Sequence, residues 1–326
     1  MTVTFPAGLA DAVRRLAVEE EGGELKRSST RISDHYRAEG RSINVVSRGT
    51  DAVAYALSRM PATFAAVASV FEEVRARAPG FSPDRLLDIG AGPGTATWAA
   101  AEVFPGLQSA RLVDRSRDFL RLARQLGATV PHLSLEFDEA DALFSSRANV
   151  ADASERYAAV AAAYLLTEFD DAGVLRVAEG LWARTAGVLV IVEPGRPRDY
   201  QRLMQVRERL VSLGGDVLAP CPHNEPCPLV APDWCHFSQR LARTKDHMRL
   251  KGASLGYEDE KFSYLVVARA GIGAAASGRV IKPTAENKVS VTLEVCADTG
   301  LEQRVVPSRD KPAFKAAKKL DWGDAL

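Results

Sequence analysis

A chain of 326 residues, 46% apolar and 26% charged, is long enough for one large α/β domain with appendages, and that balance excludes disordered, collagenous and membrane-spanning sequences. No apolar run approaches the ~20 uncharged residues that cross a bilayer. Glu19, Glu20, Glu21 and Glu24 break the opening stretch early, so neither a secretory leader nor a membrane partner is expected, and the location is expected to be cytoplasmic, with the mitochondrial matrix as the alternative. The formal charge is zero, yet residues 236–326 carry 16 Lys and Arg against 11 Asp and Glu. That basic end fits an anionic partner such as RNA, or a lysine-rich surface that only aids solubility.

In chain order, residues 1–80 read as an N-terminal arm and helical region. Arg27 to Arg41 looks like a loosely ordered arm, and Val53, Leu57, Phe64, Val67, Val70 and Phe71 then recur at helical spacing, interrupted at Pro61. Residues 81–197 read as an α/β core: strands at 86–89, 109–113, 133–137, 157–166 and 187–192 alternate with helices at 95–104, 119–126 and 174–184. Apolar strands between amphipathic helices imply a mainly parallel sheet covered on both faces. Residues 198–260 read as a helix and a cysteine-bearing insertion, and 261–276 as a last core strand. Residues 277–326 read as a C-terminal β extension, because Val289, Val291, Leu293 and Val295 alternate with polar residues and Asp298-Thr-Gly300 supplies a turn.

Asp88-Ile-Gly90-Ala91-Gly92-Pro-Gly94 follows a strand and opens a helix, where glycines admit a nucleoside ligand and helix N-terminal amides face it. The dinucleotide fingerprint wants Gly or Ala three residues after its second Gly, and Thr95 stands there instead. Asp88 at the strand end suits a ligand with an amino-acid moiety better than a pyrophosphate. Asp114 ends the second strand at the distance where a carboxylate meets ribose hydroxyls, and Asp141 follows the third, placed for an adenine edge. Three carboxylates in register with three strands point to S-adenosylmethionine or S-adenosylhomocysteine in a class I (Rossmann-like) methyltransferase fold. Helix N-capping is the competing reading for Asp114 and Asp141. Ala163-Tyr164-Leu-Leu-Thr-Glu168 lacks the Asn or Asp, two prolines and aromatic of amino-group methyltransferases; Tyr164 is taken as a pocket residue and no catalytic residue is assigned.

Cys221-Pro-His-Asn-Glu-Pro-Cys227 is followed by Cys235 and, far later, Cys296. Four thiolates suit zinc or a [4Fe-4S] cluster, with His223 and His236 as further zinc ligands. A metal group that includes Cys296 would tie the β extension to the core.

Arg59-Met-Pro-Ala-Thr63, Leu87 to Gly94, Glu193-Pro-Gly195, Ala219-Pro-Cys-Pro-His223 with Cys227 and Trp234-Cys235, Lys261-Phe-Ser-Tyr264 and Lys318 to Gly323 together resemble the Rsm-twenty-two family of methyltransferase-like proteins of the small ribosomal subunit, known in animals as methyltransferase-like protein seventeen. The resemblance covers most of the chain. It implies a [4Fe-4S] cluster on Cys221, Cys227, Cys235 and Cys296, and small-subunit ribosomal RNA in an assembling subunit as partner. The chain looks like a bacterial, monomeric member that methylates this RNA; the alternative is a non-catalytic assembly factor that keeps cofactor and cluster for structure. A small-molecule methyltransferase with a structural zinc leaves the basic end without a role.

Overall fold

The computed structural model describes residues 4–37, 46–142, 155–251 and 254–326. The described residues of its N-terminal part form four helices, α1 (Ala7–Val18), α2 (Gly22–Arg37), α3 (Gly49–Ser58) and α4 (Met60–Arg77). The expected arm at Arg27 to Arg41 is therefore corrected as far as Arg37, residues 38–41 lying outside the described residues. The helix escaped notice because its buried stripe, Leu25, Ser28, Ser29 and Ile32, has the spacing of a helix face but is half serine. Burial of Ser28 is made tolerable by Asp51 on α3, which accepts a 2.7 Å bond from the Ser28 hydroxyl and pairs with Arg31. Pro61 falls in the first turn of α4, where a missing N–H costs nothing, and α3 and α4 meet there at 57°. Among the described residues no single helix is long and apolar enough to cross a membrane; the bent α3–α4 pair meets the length and composition test only jointly, and much of it lies in the protein core.

The main sheet contains β1 (Arg85–Ile89), β2 (Ser109–Asp114), β3 (Ser134–Glu139), β4 (Tyr157–Ala163), β5 (Thr185–Pro194), β6 (Asp216–Ala219), β7 (Phe237–Ala242) and β8 (Tyr257–Ala268). Its order is β3-β2-β1-β4-β5-β8-β6, with β7 also on β8. Strands β1 to β5 are parallel and β8 runs antiparallel beside β5. This is the class I, Rossmann-like methyltransferase fold. Helices α5 (Thr95–Val103) and α6 (Arg117–Gly127) join α4 on one face, and α7 (Asp171–Ala183) and α8 (Pro197–Ser212) cover the other. Strand alternation divides the core accordingly: Val188, Val190 and Val192 of β5 face α4, while Leu189 and Ile191 face α7 and α8. The strand order reverses between β1 and β4, which leaves a crevice at their carboxyl ends.

Within 198–260 the structure departs from an insertion. α8, β6 and β7 all belong to the main layer, and α9 (Lys245–Lys251) follows them. Both β6 and β7 lie along the edge of β8 away from β5, β6 against 266–268 and β7 against 257–262, so the loop 220–236 spans the junction of two strands on one long neighbour. Short strands of four and six residues carry too little alternation to be read locally.

The C-terminal end forms a second sheet of β9 (Gly278–Val280), β10 (Ala285–Glu286), β11 (Ser290–Ala297) and β12 (Gly300–Pro307). The expected hairpin is present, paired from Ser290↔Pro307 to Ala297↔Gly300, although Val289 lies outside it and is exposed. Val291, Leu293, Val295 and Ala297 are buried against α10 (Lys311–Ala317), so the lysine-rich tail is an ordered helix capped by Asp310. Cys296 alternates to the opposite face.

Candidate functional site

The loop from β1 to α5 turns on three glycines with positive φ, Gly90 (+69°), Gly92 (+55°) and Gly94 (+86°). A Cβ on Gly90 would stand 2.6 Å from Leu165 and one on Gly94 would strike the Trp98 ring at 2.6 Å, whereas Gly92 has nothing within 4 Å and borders a cavity of about 570 Å³. The expected cradle of amides is spoken for, however. Gly90 and Ala91 N–H both donate to Val113 O (2.8 and 3.1 Å), Gly94 N–H to Ala91 O (2.8 Å) and Gly92 N–H to the Asp114 carboxylate (2.8 Å).

Asp88, Asp114, Asp141 and Tyr164 all border that cavity, together with Gly90, Ala91 and Gly92; Gly94 shapes the loop from behind. Asp88 is almost wholly buried, and its carboxylate accepts from Thr97 N–H (3.0 Å) and Oγ1 (2.8 Å). Burial pushes its pKa up to about 7, against the pull of those two bonds and with a smaller upward push from Asp114. Asp114 holds Gly92 N–H with one oxygen and Ser116 N–H (2.7 Å) with the other, and burial raises it too. Ser116, and not Asp114, caps α6. Asp138 and Glu139 on β3 pair with Arg111 and Arg117 respectively, and Asp141 lies two residues beyond that strand end.

Tyr164 directly follows β4, in the left-handed region at φ +57°, a conformation an aromatic residue adopts at a cost of about 1–2 kcal/mol. Its hydroxyl donates to Glu260 (3.0 Å), which pairs with Arg59 (3.3 Å) from the α3–α4 bend. Glu193, at the end of β5, accepts from Leu165 and Leu166 N–H (3.0 and 2.8 Å) and so fixes the turn after Tyr164. Its burial pushes its pKa up to about 8. Gly195 is required by the Phe262 backbone, 2.8 Å from where a Cβ would be. Sequence reasoning did not assign roles to Thr97, Glu193, Arg59 or Glu260. Only the Glu193-Pro-Gly195 and Arg59-Met-Pro-Ala-Thr63 motifs marked two of them.

The second site lies on the other side of β8. Cys221, Cys227 and Cys235 from the loop 220–236 and Cys296 from β11 border one small apolar cavity, all as free thiols. Tyr200 of α8 bonds Cys227 (Oη to Sγ 3.1 Å), Ser263 of β8 donates to Cys235 O (2.9 Å), and Trp234 Nε1 donates to Gly195 O (3.1 Å). His223 Nε2 lies 3.9 Å from Cys296, while His236 stacks on Trp234. Burial raises the thiols of Cys221, Cys235 and Cys296, the last to about 12, and the sulfurs reinforce one another. Two guanidiniums that sequence reasoning left unmarked, Arg207 of α8 and Arg279 of β9, are buried beside them. Among the described residues no three His, Cys, Asp or Glu side chains converge tightly enough for a single ion. A tetrahedral zinc ion with bonds of about 2.3 Å would need the four sulfurs within about 4 Å of one another.

The family described as "Mitochondrial small ribosomal subunit Rsm22" matches residues 49–326. The chain belongs to the Rsm22 family. It is 30% identical over 293 residues to the human mitochondrial ribosome assembly protein METTL17, a match over 83% of this chain and 61% of that protein. It is 23% identical over 327 residues to the mitochondrial Rsm22-cox11 tandem protein 2 of Schizosaccharomyces pombe, over 83% and 42%. The chain thus spans less than two thirds of each relative. Solved structures are similar at a lower level. The magnesium protoporphyrin IX methyltransferase of Synechocystis PCC 6803 with bound SAM shows 12% identity and a TM-score of 0.42, covering 74% of this chain and 97% of that one. The ribosomal protein L11 methylase of Lactobacillus delbrueckii subsp. bulgaricus shows 14% and 0.35, covering 60% and 76%.

The expected cytoplasmic, bacterial location is overturned by this finding, since the family and both relatives are mitochondrial. That expectation rested on the opening residues of a chain that spans part of its relatives, and those residues carry no information about a leader.

Proposed function

We propose that this family member binds S-adenosylmethionine or its homocysteine product at the glycine loop and acts on small-subunit ribosomal RNA during subunit assembly, with a [4Fe-4S] cluster on its four cysteines. The observation that carries the cofactor reading is an acidic cavity at the strand-order reversal: Asp88, Asp114 and Asp141 border it, and the loop amides a phosphate would need are already bonded. Such a lining favours a ligand with a sulfonium and an ammonium and disfavours a pyrophosphate. Asp88 and Gly90 would border the amino-acid part, Asp114 the ribose and Asp141 the adenine. Bound there, the cofactor would supply an electrophilic methyl group, and the chain's own part would be orientation and exclusion of water.

For the metal, the fit rests on four soft donors around one void that the buried Arg279 borders, with the buried Arg207 on the loop that carries three of them. Cys221, Cys227, Cys235 and Cys296 would hold it. Assembly without methyl transfer is the second reading, and engaged side chains favour it: the Tyr164 hydroxyl is committed to Glu260 and Glu193 to two amides.

Incubation with tritiated S-adenosylmethionine and methyl-free small subunits separates the two. Label in RNA that vanishes on Asp88→Ala supports transfer; subunit binding without label supports assembly alone. Calorimetry that detects no heat with either cofactor form removes the cofactor reading. A brown protein absorbing near about 400 nm supports the cluster, and a colourless one with a single zinc per chain replaces it.

A further inference from the structure

Two buried arginines serve the thiol region and are not equivalent: Arg279 borders the cavity, and Arg207 holds the loop that carries three of the thiols. Arg279, 1% exposed, gives Nη2 to the Glu73 carboxylate (2.6 Å), Nε to Pro220 O (3.1 Å) and Nη1 to Gly323 O (2.9 Å), so its charge is met by a carboxylate. Arg207, also 1% exposed, gives Nη2 to the carbonyls of His223 (2.8 Å) and Glu225 (2.7 Å), both between Cys221 and Cys227. Its Nε is buried without a hydrogen-bond partner, and among the described residues no carboxylate pairs with it. A guanidinium cannot shed its charge by losing a proton, and a buried ion without a counter-ion costs several kcal/mol. Some anion has to be near. The two carbonyls that Arg207 holds lie two and four residues after Cys221, so its guanidinium stands against the segment that runs from Cys221 to Cys227. Four thiolates around zinc or around an oxidised four-iron cubane leave a net double negative charge.

We infer that Arg207 is the counter-charge of the four-thiolate group, a positioning residue on α8 whose guanidinium balances the loaded site and grips the loop that supplies three of its ligands. The inference rests on the four cysteines holding a metal group, as proposed above. α8 presents Tyr200, Leu203 and Met204 to the same cavity, one to two turns before Arg207, so the helix forms a wall of the site and carries its charge. The carbonyl contacts alone would explain a loop clamp; the missing carboxylate is what demands an anion.

The test uses the full chain reconstituted anaerobically with iron and sulfide, and separately with zinc alone, as wild type, Arg207→Met and Arg207→Lys. Arg207→Met is expected to release its metal to a chelator about ten- to a hundredfold faster, the scale on which groups that hold metal ligands in place act, and to shift the cluster midpoint potential negative. Arg207→Lys keeps the charge without the fork, so it should hold the wild-type potential and release metal at a rate between the other two. Should Arg207→Met lose its far-UV signature, the lysine variant alone decides through the cluster: a wild-type potential supports the inference, and a clear shift overturns it. An Arg207→Met protein with wild-type release and potential overturns it, as does an equal shift in both variants, which would leave loop packing as the role. A wild-type chain that takes up neither iron and sulfide nor zinc sinks the four-thiol reading first, and this inference with it.

Discussion

The glycine-loop cavity and the thiol cavity sit on one sheet but are finished to different degrees. At the glycine loop the protein's own donors already meet the carboxylates: Thr97 on Asp88, and Gly92 and Ser116 amides on Asp114. At the thiol cavity, segments from α8, the 220–236 loop, β9 and β11 converge on sulfurs and leave Arg207 without a carboxylate. A site satisfied by its own chain keeps its shape without a ligand. A site with an uncompensated charge depends on one.

If the four cysteines hold a metal group as proposed, its removal should give the largest effect, and an uneven one. With a chelator, or in Cys235→Ala, amides of 220–236 and 290–297 are expected to exchange faster by about two orders of magnitude, roughly 3 kcal/mol of local stability, while β1 to β5 stay protected. Uniform loss of protection would erase the distinction between the two regions. Next in size, Gly94→Val places a branched Cβ against the Trp98 ring at a positive φ and should cost about 3 kcal/mol in urea unfolding. Gly92→Ala meets no atom within 4 Å and should cost about 1 kcal/mol, yet weaken S-adenosylmethionine binding because the methyl group borders the cavity.

The pH dependence is smaller and opposite to the common carboxylate case. Glu193 stays protonated in the folded state up to about pH 8, whereas unfolded it ionises from its ordinary 4.5. The folded form therefore binds the extra proton between those values, and stability falls as pH rises through that window, by at most about 1.4 kcal/mol per unit. Asp88 acts likewise between 3.8 and about 7. The stability of wild type relative to Glu193→Gln should thus decline from pH 5 to 8 and level off above; a flat difference would mean the Glu193 carboxyl is not held neutral. Least of all in stability, exchanging the exposed Lys311, Lys315 and Lys319 for Gln should change it by under about 0.5 kcal/mol. If these lysines reach RNA phosphates, the log–log salt slope of binding should drop by about one for each.

The first cavity was legible because its signals are local. Asp88 through Gly94, a strand, three glycines and a helix, form one uninterrupted segment, and Asp114 and Asp141 follow the next two strands. What could not be read there was how the carboxylates are used, because Thr97 lies inside a helix and looks like any helical threonine. At the second cavity the cysteines and their prolines were legible but their company was not. Arg207 on an otherwise charged helix looks solvent-facing, and α2 hid behind its two buried serines.

The sequence by itself determined the strand and helix alternation, the glycine turn, the hairpin bearing Cys296 and the cysteine loop, since each depends on residues a few positions apart. Tertiary structure alone decided that β6 and β7 share the edge of β8, that Cys296 meets the loop, and that Glu193 and Arg207 are buried. Burial and pairing of charge are set by partners distant in the chain, and local periodicity carries no record of them.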